Sequence, residues 1–229
     1  MKNRMKQLEI LLVILLMVNI AQNGLTNPKT YFLNMLIALP GIVIGLSFHE
    51  FGHAFVSDRL GDPTPRAQGR VTLNPLAHID YIGAACILLV GFGWAKPVGV
   101  NPTYFKHPKR DMAITALAGP VSNLIVALIS LIICNIFRYL LTGAVFFYFA
   151  IFFFYIASIN VSLAVFNLIP IPPLDGGRFV VEIFQKVSRK VVSLRALGYM
   201  STVGIVLFTG FFLVMVNQDV QRFIFGNWS

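Results

Sequence analysis

Only 4 histidines occur among the 229 residues, and two of them flank a glutamate in His49-Glu50-Phe51-Gly52-His53. On a helix, residues at i and i+4 share a face, so both imidazoles can hold one metal ion. The glutamate points beside that face, where it can touch water at the metal without binding the metal itself. Zinc lowers the pKa of a water it binds to about 7, and a carboxylate can then take that proton. The bland alternative is a pair of hydrogen-bonded core histidines. Ionisable groups inside an apolar span are costly, and three together point to function.

A zinc ion with two histidine ligands needs a third protein ligand to leave one position open for catalysis. Asp175 is the best candidate. It ends the run Asn167-Leu168-Ile169-Pro170-Ile171-Pro172-Pro173-Leu174-Asp175-Gly176-Gly177, whose prolines stop a preceding helix. Alone, an Asp-Gly pair reads more often as a turn than as a ligand. The membrane topology shifts that balance.

Hydrophobic residues make up 57% of the chain, against about 45–50% in a soluble domain. Charged residues are 12%, against about 25%. So few charges cannot cover a soluble globule, which excludes a cytosolic enzyme, a disordered chain and an ordinary nucleic-acid binder. The net charge of +9 comes from basic residues lying between apolar runs, where they act as orientation signals at a lipid bilayer. Cys86 and Cys134 lie in apolar segments and make no C-x-x-C pair.

A helix needs about 20 apolar residues to cross a membrane. Segments 31–56, 112–137, 140–169 and 197–217 reach that length. Segment 8–21 is shorter; it follows Lys2, Arg4 and Lys6, and reads as an uncleaved anchor rather than a signal peptide. Segment 81–94, with Gly83, Gly91 and Gly93, suits a re-entrant stretch better than a span. If it does not cross and the N-terminus is cytoplasmic, only Lys29, Arg138 and Arg222 of the 18 Lys and Arg fall outside. That is the asymmetry cytoplasmic loops show.

The expected fold class is therefore an all-α polytopic membrane protein. It has about five transmembrane helices and a re-entrant, cytoplasmic-side segment with short β-strands, at 70–73 and 97–100. Residues 1–30 form an anchor helix and loop. Residues 31–185 form a catalytic core with the excursion 57–111. Residues 186–229 hold the end of an interfacial segment (179–195) and the last span. This topology brings 49–53 and Asp175 to the same side at similar depth, supporting Asp175 as third ligand.

His49-Glu50-Phe51-Gly52-His53 in a membrane helix, with a later Leu174-Asp175-Gly176, resembles the site-2 protease family of intramembrane zinc metalloproteases. Thr72 to Asp80, Gly93-Trp94-Ala95-Lys96-Pro97-Val98 and Ala118-Gly119-Pro120-Val121-Ser122-Asn123 add to the likeness, over roughly residues 31–185. The pattern is similar to compact bacterial members without PDZ or CBS domains. The resemblance implies one Zn2+ per chain on His49, His53 and Asp175, with Glu50 as general base. It also implies a transmembrane protein substrate, cut within or near the bilayer, and the compact form suggests a bacterial cell membrane; the basic-residue asymmetry puts the active site toward the cytoplasm.

Two residues stay open. His78 could donate to the oxyanion of the tetrahedral intermediate, act as a resting fourth ligand, or pack the loop. Asn123 could bind a substrate backbone or a neighbouring helix. Two rival functions also stand: a membrane zinc hydrolase acting on a lipid or lipidated peptide, and, less well supported, a metal transporter. A transporter has no use for the glutamate, and the chain shows neither an internal repeat nor a second histidine cluster.

Overall fold

A computed structural model of the chain describes residues 28–90 and 94–216. In chain order the helices are α1 (Pro28–Arg59), α2 (Thr64–Ala67), α3 (Pro75–His78), α4 (Tyr81–Val90), a 3-10 turn (Pro102–Tyr104), α5 (Pro108–Phe137), α6 (Gly143–Asn167), α7 (Asp175–Ser188) and α8 (Leu194–Val216). Among the described residues, three stretches are long and apolar enough to cross a membrane: Met35–Arg59, Pro108–Phe137 and Gly143–Asn167. They correspond to three of the expected spans. The expected span at 197–217 falls on α8, an apolar helix of 23 residues. The expected span at 8–21 lies outside the described residues.

The described residues divide into two compact units: 28–36, 80–90, 94 and 202–216 in one, 37–79 and 95–201 in the other. In the first, Asp80 starts α4, its Oδ1 accepting from the N–H groups of Ile82 (3.1 Å) and Gly83 (2.8 Å). Residues 81–90 are thus helical, and Gly83 sits so close to the Trp94 backbone that a Cβ would come within 2.1 Å of its carbonyl oxygen.

The second unit holds His49, Glu50, His53 and Asp175. Its helices meet on small and polar residues while large apolar ones face outward, as expected where lipid replaces water. On α5 the buried face includes Ala116, Gly119, Asn123, Ala127 and Ser130, and Ile125, Leu128 and Ile132 are exposed. Gly41 and Gly45, spaced four apart on α1, admit α6: a Cβ at Gly41 would lie 3.3 Å from the Ile156 Cα. Gly52 admits α5, where a Cβ would meet Ser122 Oγ at 2.0 Å and Ala118 O at 2.7 Å. α7 is amphipathic, with Val180, Ile183, Phe184 and Val187 exposed beside Lys186 and Arg189. The segment expected at 179–195 is thus helical as far as Ser188, and its helix begins earlier, at Asp175.

The β-strands expected at 70–73 and 97–100 do not form. Among the described residues the only pairing is an isolated antiparallel bridge between Ile79 and Ala95. Side chains take the groups a ladder would use. Val98 N–H donates to Glu50 Oε2 (3.1 Å) and Gly99 N–H to Gln68 Oε1 (3.1 Å). The buried Arg70 guanidinium donates to the carbonyls of Ala77 and Lys96. Asp62, fully buried, ties Ser57, Thr64 and Asn101 together through its carboxylate. The excursion is a side-chain-organised loop, and it holds 97–100 against α1.

Candidate metal centre

α1 carries His49 and His53 one turn apart, their rings edge to face with centroids 4.7 Å apart. α7 begins at Asp175, whose carboxylate sits in the first helical turn, where the helix dipole favours negative charge. The turn before it is tight. A Cβ at Gly176 would lie 2.2 Å from Leu168 O, and one at Gly177 would lie 2.2 Å from Pro172 N. Only residues without a side chain let the chain fold back and aim Asp175 at α1.

The three side chains converge. Asp175 Oδ2 is 3.0 Å from His49 Nε2 and 3.1 Å from His53 Nε2, and the two nitrogens are 3.2 Å apart. Tetrahedral zinc with ligands at about 2.0–2.1 Å would separate its ligand atoms by about 3.3 Å. These residues therefore fit a metal ion. The far ring nitrogens agree. His49 Nδ1 is 2.6 Å from Asn123 Oδ1, and His53 Nδ1 is 2.7 Å from the Thr115 carbonyl oxygen. Both partners only accept, so each Nδ1 carries the proton and each Nε2 presents a lone pair. Two lone pairs and a carboxylate oxygen facing one point need a cation between them.

Gly119 of α5 closes the site from below. A Cβ there would stand 2.4 Å from His53 Nε2 and 2.7 Å from His49 Nε2. It packs against the ligand atoms themselves.

A cavity of about 180 Å³ opens onto the site. Glu50 lines it, with Oε2 held by Val98 N–H and Oε1 without a partner among the described residues. Asn167 and Arg178 also line it, and sequence reasoning singled out neither. Their only sequence signal was proximity to Asp175: Arg178 lies at i+3 on the same helix, on the side Asp175 faces.

Neither of the two open residues lines this cavity. His78 is 2% exposed in the loop, its Nε2 donating to Thr72 O at 2.8 Å, its Nδ1 unpartnered. It does not line the cavity. His78 ends the short α3 turn that Asn74 caps. Asn123 is wholly buried. Its Oδ1 faces His49, and its amide nitrogen donates to Gly45 O (2.8 Å) and Asn160 Oδ1 (2.9 Å). Both its N–H groups bond to neighbouring helices and its oxygen faces His49, an arrangement of helix–helix bonding.

Membrane-length helices around a two-histidine, one-carboxylate group define a membrane-embedded metalloenzyme. The profile of Peptidase family M50 matches residues 136–211, which include Asp175. A Bacillus subtilis protein named "Putative zinc metalloprotease YwhC" is 37% identical over 162 residues, 69% of this chain and 74% of that one. Rip2 of Mycolicibacterium smegmatis, which carries the same descriptive name, is 30% identical over 182 residues, 77% of this chain and 68% of that one. Rip2 of Mycobacterium tuberculosis is 30% identical over 159 residues, 65% of this chain and 58% of that one. The chain belongs to peptidase family M50, the site-2 proteases, and is a metalloendopeptidase. No solved structure matches it.

Proposed function

We propose that this integral membrane protein is a zinc endopeptidase that cuts peptide bonds in or near transmembrane helices of other membrane proteins. The observation that carries this reading is the convergence of His49, His53 and Asp175, with ligand atoms all within 4.8 Å of one another, among apolar helices. One Zn2+ per chain would be held by these three residues. Bound there, zinc supplies a Lewis acid that polarises a carbonyl and acidifies water.

The chain's own groups do the rest. Glu50 takes the proton of the attacking water on Oε1 and passes one to the leaving amine nitrogen. Val98 N–H keeps Oε2 occupied, so the carboxylate faces the cavity in one orientation. Asn123 and Thr115 hold the imidazoles in the neutral, Nδ1–H form. A substrate helix hides its peptide bonds in i to i−4 hydrogen bonds and must unwind locally. Its freed backbone groups then need partners, since orphans in lipid cost several kcal/mol. Asn167 and Arg178 offer polar groups in the cavity where that strand would lie.

The catalytic core is residues 31–185, flanked by the N-terminal anchor and by the segment 186–229. The N-terminus and the active site face the cytoplasm of a bacterial cell, supported by the distribution of Lys and Arg. The test uses purified wild type and Glu50→Gln with a panel of single-span substrates. About one zinc per chain in both, with cleavage only by wild type, is expected. Cleavage by Glu50→Gln at the wild-type rate, or no zinc after metal-replete purification, would overturn the reading.

A further inference from the structure

We propose that Asn160 is a positioning residue for the metal centre, acting on His49 through Asn123. The inference rests on the reading of His49 as a zinc ligand. Asn160 sits on α6 with no exposed surface, in the middle of an aromatic and aliphatic helix. A buried amide in a membrane helix is costly unless each of its groups is used. Here each is. Its nitrogen donates to Ile156 O at 2.8 Å, one turn back on its own helix. A backbone carbonyl can only accept, which fixes which end of the Asn160 amide is oxygen. That oxygen then accepts from Asn123 at 2.9 Å.

The consequence reaches the metal. Asn123 could in principle present either end of its amide to His49. With nitrogen toward His49, its oxygen would face two acceptors, Gly45 O and Asn160 Oδ1. That arrangement leaves two repulsive contacts in a low-dielectric interior. So Asn123 is locked with oxygen toward His49, His49 Nδ1 must donate, and His49 Nε2 keeps the lone pair that faces Asp175 and His53. α1, α5 and α6 each supply one link. Gly45 makes room for it, since even a Cβ there would come within 3.2 Å of Asn160 Oδ1.

This predicts an unusual order of substitutions. Asn160→Asp should be mild. A carboxyl group buried there stays protonated, so its carbonyl oxygen accepts from Asn123 and its hydroxyl donates to Ile156 O. Asn160→Leu has similar volume but no acceptor, so Asn123 loses one of its two restraints, keeping only Gly45 O, and one N–H is left unpaired. The experiment measures zinc affinity of the purified full-length protein by competition with a chelator, with the visible spectrum of the cobalt-substituted protein as a second readout. Asn160→Leu should weaken zinc by about tenfold or more and alter the cobalt spectrum. Asn160→Asp should stay within about threefold of wild type, well short of that loss. If the leucine variant does not fold, Asn160→Ala measures the same loss. In an Asn123→Ala background, removing the Asn160 amide should have no further effect. Unchanged affinity in Asn160→Leu or Asn160→Ala, or an equal loss with and without Asn123, would overturn the proposal. A wild type that takes up no zinc would overturn the metal reading itself, and this proposal with it.

Discussion

Gly119 lies directly beneath the ligand nitrogen of His53, where a single added carbon would stand 2.4 Å away. The same carbon would lie 2.7 Å from His49 Nε2, so it would fill the space the two lone pairs share. Gly119→Ala is therefore expected to fold yet bind zinc at least about tenfold more weakly than wild type. Metal analysis of the purified variant, beside its thermal unfolding, checks this. A folded variant with full zinc would mean the ligand atoms do not meet over Gly119.

Asp175 reaches both imidazoles from a different helix, and its carboxylate is the negative charge in the ligand group. Removing it leaves two neutral donors. Asp175→Ala should lower zinc affinity by more than about 100-fold, beyond what loss of a supporting hydrogen bond costs. Chelator competition measures this directly. Undiminished zinc occupancy in that variant would remove Asp175 from the ligand set.

Gly52 sits inside the histidine motif but faces α5, not the cavity. A methyl there would press on Ser122 Oγ at 2.0 Å and on Ala118 O at 2.7 Å. The first contact can move; the second is backbone. Gly52→Ala should lose about 1–3 kcal/mol of stability, and adding Ser122→Ala should restore only part of it. Thermal unfolding in detergent reads both. An unchanged Tm would contradict so close a helix crossing.

Asp62 gives the excursion a pH dependence. Burial alone would raise its carboxyl; bonds from Thr64, Asn101 and Ser57 outweigh that and hold it below its ordinary value. A carboxylate whose folded value is depressed adds stability above its unfolded pKa of about 3.9, and that stability is lost as pH falls through the lower folded value. Asp62→Asn should thus be less stable than wild type by about 1–3 kcal/mol at pH 7. The gap should close in acid, below about pH 4. Tm against pH for the two proteins tests this, and a constant gap would refute it.

Much of the metal centre was legible in the chain itself. The i, i+4 spacing of His49 and His53 is a property of one helix, and a helix of any surroundings puts them on one face. The lengths of three apolar segments fixed three membrane-length helices for the same local reason. Asp175 came from topology, since the proline-rich turn ends one helix on the side where the histidines lie.

What required tertiary structure was every choice between partners. Residues 70–73 and 97–100 have the composition of strands, yet Glu50 and Gln68 take the N–H groups of Val98 and Gly99. Asn123 looked free to meet a substrate until Gly45 and Asn160 claimed its nitrogen and His49 its oxygen. His78 could have faced several partners, and its Nε2 meets Thr72 O. Periodicity along one helix is written in the order of residues. Which amide, carbonyl or imidazole meets which depends on the register between helices far apart in sequence, and glycines such as Gly45, Gly52 and Gly119 set that register by how closely they let backbones approach.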